Sequence, residues 1–349
     1  MILIFGLINQ YGVLSHFSEG IKSDLEALGE NCLILPVDDG IKAAQLLSMI
    51  SPQQVKFSIC LNGSGLDRAL QYGKTFAYAV DHPLLLLPHL QKYKGYELLC
   101  VAKEHTAFAN MLGIPARDFP HAVAIADLVE TNGVSQHKTD DIIFPISYFN
   151  KTAAQQKLTQ MGVWNQLKPA LDVVGSINEF LMAVGVLPNG NQPARAQLNE
   201  AMFKITCEAD NYIRAVNREK TLARYTELGV ELQVYGRNVS HYQTDYPTHQ
   251  YHEQISYTEL LKKIENAKYV VHNSPGFQFA LHERIVFPLA KGTPVLFDAD
   301  INQKQMLAKL PAIYPSDFAK QQANVADIEA SRNEVSSSHT WASQLKALF

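Results

Sequence analysis

Apolar and polar positions come in alternating blocks from the first residue. Residues 2–8 are an unbroken apolar run, the pattern of a strand buried on both faces, and 18–28 then carries helical spacing up to Gly29. The succession repeats. Strands are predicted at 31–37, 56–61, 76–80 and 97–101, and helices at 41–50, 65–72 and 105–112, the last ended by Gly113 and Pro115. Strand and helix in alternation give a parallel α/β sheet. Beyond about residue 145 the texture changes, and 151–228 reads as helices broken near Pro169, 185–190 and Pro193. Alternation then resumes, with strands at 230–235, 269–272 and 294–297 and helices at 258–267 and 279–291. Trp341, Leu345 and Leu348 fall on one helical face, so the segment 336–349 is expected to dock back as a helix.

A chain of 349 residues exceeds the roughly 250–300 at which one core stops growing, so two domains are expected, 1–145 and 146–335. With 47% hydrophobic and 18% charged residues the whole chain can bury enough surface to fold, which excludes disorder. Thirty basic and 34 acidic residues are interspersed, for a net charge of −4, and no basic stripe exists that could track nucleic acid. One small phosphate compound needs only a local cluster. Cys32, Cys60, Cys100 and Cys207 stand far apart, so buried free thiols are expected in place of a zinc ribbon or a disulfide framework. The apolar N-terminus lacks the basic flank of a signal peptide, and the most apolar stretch, 76–90, is interrupted by Asp81, His82 and two prolines. These features predict a soluble cytoplasmic protein without an integral membrane span.

Two α/β units each open a crevice at the carboxyl ends of their strands, so the loops leaving those strands are where chemistry is sought. The richest runs from Tyr269 to Arg284. A strand ends at Asn273, Ser274-Pro275-Gly276 turns the chain, and His282-Glu283-Arg284 stands in or near the first turns of the next helix. Helix-terminal N–H groups, a glycine that lets the backbone approach and an arginine fork suit an anion. An ordinary strand–loop–helix with a surface His-Glu-Arg fits the same spacing.

Further residues make the segment recognisable. The strand ending at Asn273, Arg284 followed by Gly292 and the strand 294–298 resemble the C-terminal donor-binding domain of GT-B glycosyltransferases, and in particular the CgeB-like group. Arg218 to Leu228 with Val230 to Arg237, the stretch Ala77 to Pro83, and Phe119-Pro120-His121-Ala122 are similar to other steps of that group. The resemblance is a mosaic over both halves. It implies a GT-B-like α/β fold of two Rossmann-like domains facing across a cleft, with residues 151–216 as a helical insertion. It also implies a nucleotide-diphosphate sugar, such as a UDP-hexose, on the C-terminal domain and an acceptor on the N-terminal one. Gly236 and Arg237 would lie beside the donor, Asn273, Ser274 and Gly276 at its diphosphate-sugar region, Arg284 on the diphosphate, and Tyr257 near the base. His282 and Glu283 accompany them. The family's ribose-binding glutamate falls on Phe287, and Glu283 stands in a different register.

Departure of a nucleoside diphosphate develops negative charge that fixed arginine and backbone donors can stabilise, so no metal or other cofactor is expected. An inverting transferase also needs a base near the acceptor hydroxyl. Asp81 and His82, the first candidates, leave the strand 76–80 ahead of Pro83, where Asp81 as a helix cap is the competing role, and His16, the second, follows the first strand in a loop. A retaining enzyme would need none of them as base. The acceptor, whether protein, glycan or lipid-linked, is open, as is the oligomeric state. A GT-B-fold nucleotide-sugar epimerase and a non-catalytic nucleotide-sugar-binding protein are the competing functions. A nicotinamide dehydrogenase is disfavoured, because Gly6 and Gly12 make no GxGxxG fingerprint. His241, His249 and His252 with Glu253 read as a solvated loop and not as a metal cluster.

Overall fold

A computed structural model describes residues 1–6, 12–128, 139–188, 198–273, 281–297 and 307–349. Its strands are β1 (Ile2–Gly6), β2 (Cys32–Pro36), β3 (Phe57–Leu61), β4 (Thr75–Ala79), β5 (Glu97–Cys100), β6 (Ala116–Asp118), β7 (Ile142–Pro145), β8 (Gln233–Tyr235), β9 (Gln250–His252), β10 (Tyr269–Val271), β11 (Val295–Leu296) and β12 (Ile313–Tyr314). Its helices are α1 (Val13–Ala27), α2 (Gly40–Ser48), α3 (Leu66–Ala69), α4 (Pro83–Leu90), α5 (Lys103–Met111), α6 (Lys151–Gln160), α7 (Trp164–Leu171), α8 (Ile177–Ala183), α9 (Glu200–Glu227), α10 (Tyr257–Asn266), α11 (Glu283–Ala290), α12 (Val325–Ser338) and α13 (Trp341–Leu345).

Two six-stranded sheets result, in the orders β2-β1-β3-β4-β5-β6 and β12-β11-β10-β7-β8-β9. The strand pairs in register are parallel, and Ile2, Leu3, Ile4 and Phe5 of β1 are buried completely, as helices on both faces of a parallel sheet require. In the first sheet the chain steps from β1 to β2 on one side and then to β3 on the other. In the second it runs from β7 to β8 and β9, and then returns to β10 on the opposite side of β7. Each reversal is a topological switch point, where neighbouring loops diverge and a crevice opens beyond the strand ends.

Two compact units divide the chain: one of Met1–Asp141, Ile255–Val270 and Phe279–Phe349, the other of Ile142–Gln254 and Val271–Gln278. The predicted helical region forms α6 to α9 in the second. Residue 216, the expected end of an insertion, lies inside the continuous α9.

The predicted C-terminal helix is present but starts at Trp341, because residues 336–338 complete α12. Trp341, Leu345 and Leu348 are buried as their spacing foretold. Trp341 meets Phe17 and Tyr78 edge-on, each at 5.7 Å between ring centroids. The buried Asp24 carboxylate of α1 fixes this helix, accepting from the Ala342 amide at 2.9 Å and from Ile125 at 3.0 Å. Burial raises its pKa, and the two backbone bonds oppose that shift.

Helix α1 begins at Val13, earlier than the predicted residue 18. Gly12 enters it at φ 85°, a left-handed conformation open to glycine, and the buried stripe already runs Leu14, Phe17, Ile21, Leu25. Ser15 and His16 disguise that start. His16 therefore sits on a helix and not in a loop.

Candidate functional site

In the first unit, His16 is anchored by its position in the opening turns of α1. Its Nε2 lies 2.9 Å from Asp127 Oδ2, and the Asp127 Oδ1 is 3.8 Å from Lys291 Nζ. Asp127 ends the short 3-10 turn Ile125–Asp127. An Nε2–H donating to this carboxylate leaves the lone pair on Nδ1, and Lys291 balances the charge of the acid behind it. The ring is held edge-on by Tyr257 at 5.3 Å and against Phe287 at 5.5 Å, while 23% of the side chain stays accessible. A histidine with one nitrogen paired to a carboxylate, its ring packed and part of its side chain accessible is equipped to take a proton.

Tyr257 and Phe287 belong to this packing. Tyr257 opens α10 and is buried, and burial raises its hydroxyl well above the usual range. Phe287, which stands where the resemblance expects a ribose-binding glutamate, is 1% exposed and stacks parallel to Phe17 at 5.9 Å. An aromatic core fills that position.

Asp81 and His82 follow β4 and have separated roles. Asn62, itself at φ 49°, accepts from the Val80 amide at 2.9 Å and donates to Asp81 Oδ2 at 3.3 Å, holding a half-buried carboxylate at the strand end. His82 is 2% exposed. It, and not Asp81, caps α4: its Nδ1 accepts from the Leu84 amide at 3.1 Å, with Pro83 as the first helical residue. Its ring meets His105 at 4.4 Å and Phe108 at 5.0 Å, both edge-on.

His282, Glu283 and Arg284 open α11, later than the predicted residue 279, which lies outside the described residues. Glu283 Oε2 lies 2.6 Å from His282 Nδ1 and 3.5 Å from His121 Nε2, and its Oε1 is 3.9 Å from Arg284 Nε. His282 Nδ1 also caps the helix at 3.2 Å from the Arg284 amide. One nitrogen cannot accept from that amide and donate to the carboxylate in a single tautomer, so the two contacts exclude each other. His121 is fully buried with Nδ1 3.3 Å from the Tyr78 hydroxyl; burial lowers its pKa to about 3 against the opposing pull of Glu283. It is neutral at any ordinary pH.

In the second unit, β7 and β8 present their loops together, and His272 and Asn273 follow β10. Gly236 follows β8 at φ 155°, and a Cβ there would stand 1.6 Å from the Ile146 carbonyl oxygen. Only glycine allows the two chains to pass so closely. Ile146 donates to Tyr235 O at 3.0 Å and Tyr148 to Arg237 O at 2.9 Å, continuing the ladder beyond the strands. The buried Arg218 donates to Ser147 O and lies over the Phe149 ring at 4.3 Å, fixing the loop after β7 from α9. Arg237 is exposed, and no ion pair engages it among the described residues. Asn273 is 8% exposed, and neither amide atom has a hydrogen-bond partner among the described residues. Ser274 and Gly276 lie outside the described residues.

The polar loop expected around His241 is built instead. His249 is buried, with Nε2 2.9 Å from Leu222 O and Nδ1 accepting from the Leu232 amide at 3.3 Å. His252 lies on β9 and stacks on Tyr235 at 4.4 Å. Among the described residues no group of three His, Cys, Asp or Glu side chains is placed to hold a metal. The sequence contains one Asp-x-Asp triplet, Asp298-Ala299-Asp300, which lies outside the described residues.

A crystal structure of AviGT4, a glycosyltransferase involved in avilamycin A biosynthesis, aligns with a TM-score of 0.55 and 10% identity over 99% of this chain and 96% of that one. The fold is GT-B. Lower similarity extends to a sucrose-phosphate synthase from Thermosynechococcus elongatus (TM-score 0.43, 10% identity, 100% of this chain, 94% of that chain). It extends also to the glycosyltransferase SnogD from Streptomyces nogalater (0.37, 10%, 100% and 99%). No family model and no curated protein matches the sequence.

Within the GT-B fold, motif reading reached His16 but missed its partners. Asp127 is 111 positions away and carries no motif of its own, and Lys291 reads only as the residue before Gly292.

Proposed function

We propose that the protein is a glycosyltransferase of the CgeB-like kind that moves a sugar, a hexose in the first instance, from a nucleotide-diphosphate donor to an acceptor hydroxyl. The observation that carries the reading is the His16–Asp127 hydrogen bond of 2.9 Å, an oriented base at the crevice end of the first sheet. Nδ1 of His16 takes the proton of the acceptor as its oxygen attacks the anomeric carbon, and Asp127 stabilises the imidazolium that forms. Asp81 is the second candidate base, and His82 is the third because its Nδ1 already serves the helix cap. Arg237, Arg284 and backbone donors meet the charge of the departing diphosphate, so transfer runs without a metal. Gly236 and Asn273 shape the donor side, with Ser274, Gly276, His282 and Glu283 as further donor contacts. The domain assignment 1–145, 146–335 and 336–349 belongs to the same proposal.

Among the described residues no helix is long and apolar enough to cross a membrane, and Cys32, Cys60, Cys100 and Cys207 are free thiols. Unpaired cysteines, two of them buried, support a cytoplasmic setting.

The test is incubation with a panel of nucleotide sugars, with and without candidate acceptors, after dialysis against EDTA. Nucleoside diphosphate is expected to be released with an acceptor-linked sugar and no isomerised donor. An isomeric sugar from donor alone would replace transfer by epimerisation. Activity lost on chelation and restored by a divalent cation would contradict metal independence and direct attention to Asp298 and Asp300.

A further inference from the structure

Asn273 stands at the carboxyl end of β10, beside the switch point between β10 and β7. Its side chain is buried, and among the described residues both Nδ2 and Oδ1 lack a hydrogen-bond partner. Buried amides are almost always bonded, because an unmet donor or acceptor keeps the full penalty of leaving water. Here both are unmet at the place where an open α/β sheet receives its ligand. The ligand group that suits this amide must offer an acceptor and a donor side by side.

Phosphate oxygens only accept. They would pair with Nδ2–H and leave Oδ1 orphaned, so the diphosphate is a poor match for Asn273. It suits the exposed guanidinium of Arg237, which follows β8, two strand positions from β10 and therefore roughly 10 Å across the sheet. Neighbouring sugar hydroxyls each carry a donor and an acceptor. We propose that Asn273 reads a vicinal hydroxyl pair of the transferred sugar, one oxygen accepting from Nδ2–H while the adjacent O–H donates to Oδ1. This rests on the second unit being the donor side, and it makes Asn273 a specificity residue for the sugar in place of a diphosphate ligand.

The test compares wild type with Asn273→Leu, which keeps the volume and removes both polar atoms. The probes are UDP, GDP, ADP and dTDP, a matching hexose derivative of each, and monodeoxy analogues of the hexose donor that binds, all titrated by calorimetry. The variant is expected to bind the nucleoside diphosphate within about twofold of wild type and the nucleotide hexose at least about tenfold more weakly. Wild type is expected to reject the analogue lacking the contacted hydroxyl, and the variant to accept it as well as the parent. Since no bond is broken in the unliganded protein, the melting temperature of the variant should not fall. Equal loss of nucleoside diphosphate and nucleotide hexose would transfer the contact to phosphate or base and overturn the assignment while the donor reading stands. A lowered melting temperature with unchanged sugar discrimination would overturn it in favour of a structural role. A wild-type protein that binds none of the probes would remove the donor reading and the assignment together.

Discussion

Replacing His16 by alanine is expected to lower turnover by roughly 10²–10⁴-fold, the usual contribution of a positioned base, with donor affinity within about twofold of wild type. The split follows from placement. His16 is packed in the first unit by Tyr257 and Phe287 and tied to Asp127, whereas Arg237 and Asn273, two of the residues proposed for the donor, are in the second. Release of nucleoside diphosphate measures the first quantity, and calorimetric titration of the donor the second. Asp127→Asn should reproduce much of the defect, because an amide can present its NH₂ to Nε2 and stabilise the other tautomer. Turnover of His16→Ala within about threefold of wild type would return the base to Asp81 or His82, since a positioned base supplies far more than that.

Gly236→Ala is expected to destabilise the second unit by at least about 3 kcal/mol, combining a backbone conformation closed to L side chains with a collision against backbone. The collision is severe. The added Cβ would lie 1.6 Å from the Ile146 oxygen and 2.6 Å from its carbonyl carbon, and neither atom can rotate aside as a flexible side chain would. Relief requires β7 and β8 to part, which breaks the Ile146–Tyr235 and Tyr148–Arg237 bonds and displaces Arg237. Urea unfolding would register the loss, and stability within about 1 kcal/mol of wild type would contradict it.

The elements legible in the sequence were those whose burial is one-sided or complete. β1, β3, β4 and β5 were found because central parallel strands are continuous apolar runs, and β2, at the sheet edge, because its segment is apolar as well. β6, β7, β9 and β12 were missed. β6, β9 and β12 are two or three residues at a sheet edge, and Gln250-Tyr251-His252 shows no apolar run because one side of an edge strand needs none, whereas β7 is a central apolar run of four residues that the pattern did contain. His249 was misread for a related reason: its partners are the Leu222 carbonyl and the Leu232 amide, backbone groups to which a side-chain pattern is blind. The same limit applies to the site. Asn273 and Gly236 could be singled out at strand ends, but only three-dimensional contact shows that the amide of one is unmet and that the other has no room for a methyl group. The pairing of His16 with Asp127 and Lys291 is likewise a product of the fold.

The central claim is that a nucleotide-diphosphate sugar is the co-substrate, and a thermal-shift screen against nucleoside diphosphates and nucleotide sugars tests it most directly. A ligand that binds only the folded protein stabilises it by about 2.7 kcal/mol at a hundredfold excess over its Kd. Glycosyl transfer predicts a concentration-dependent rise in melting temperature with at least one nucleotide sugar and with its parent diphosphate. An unchanged melting temperature across the whole panel, at millimolar ligand, would contradict it.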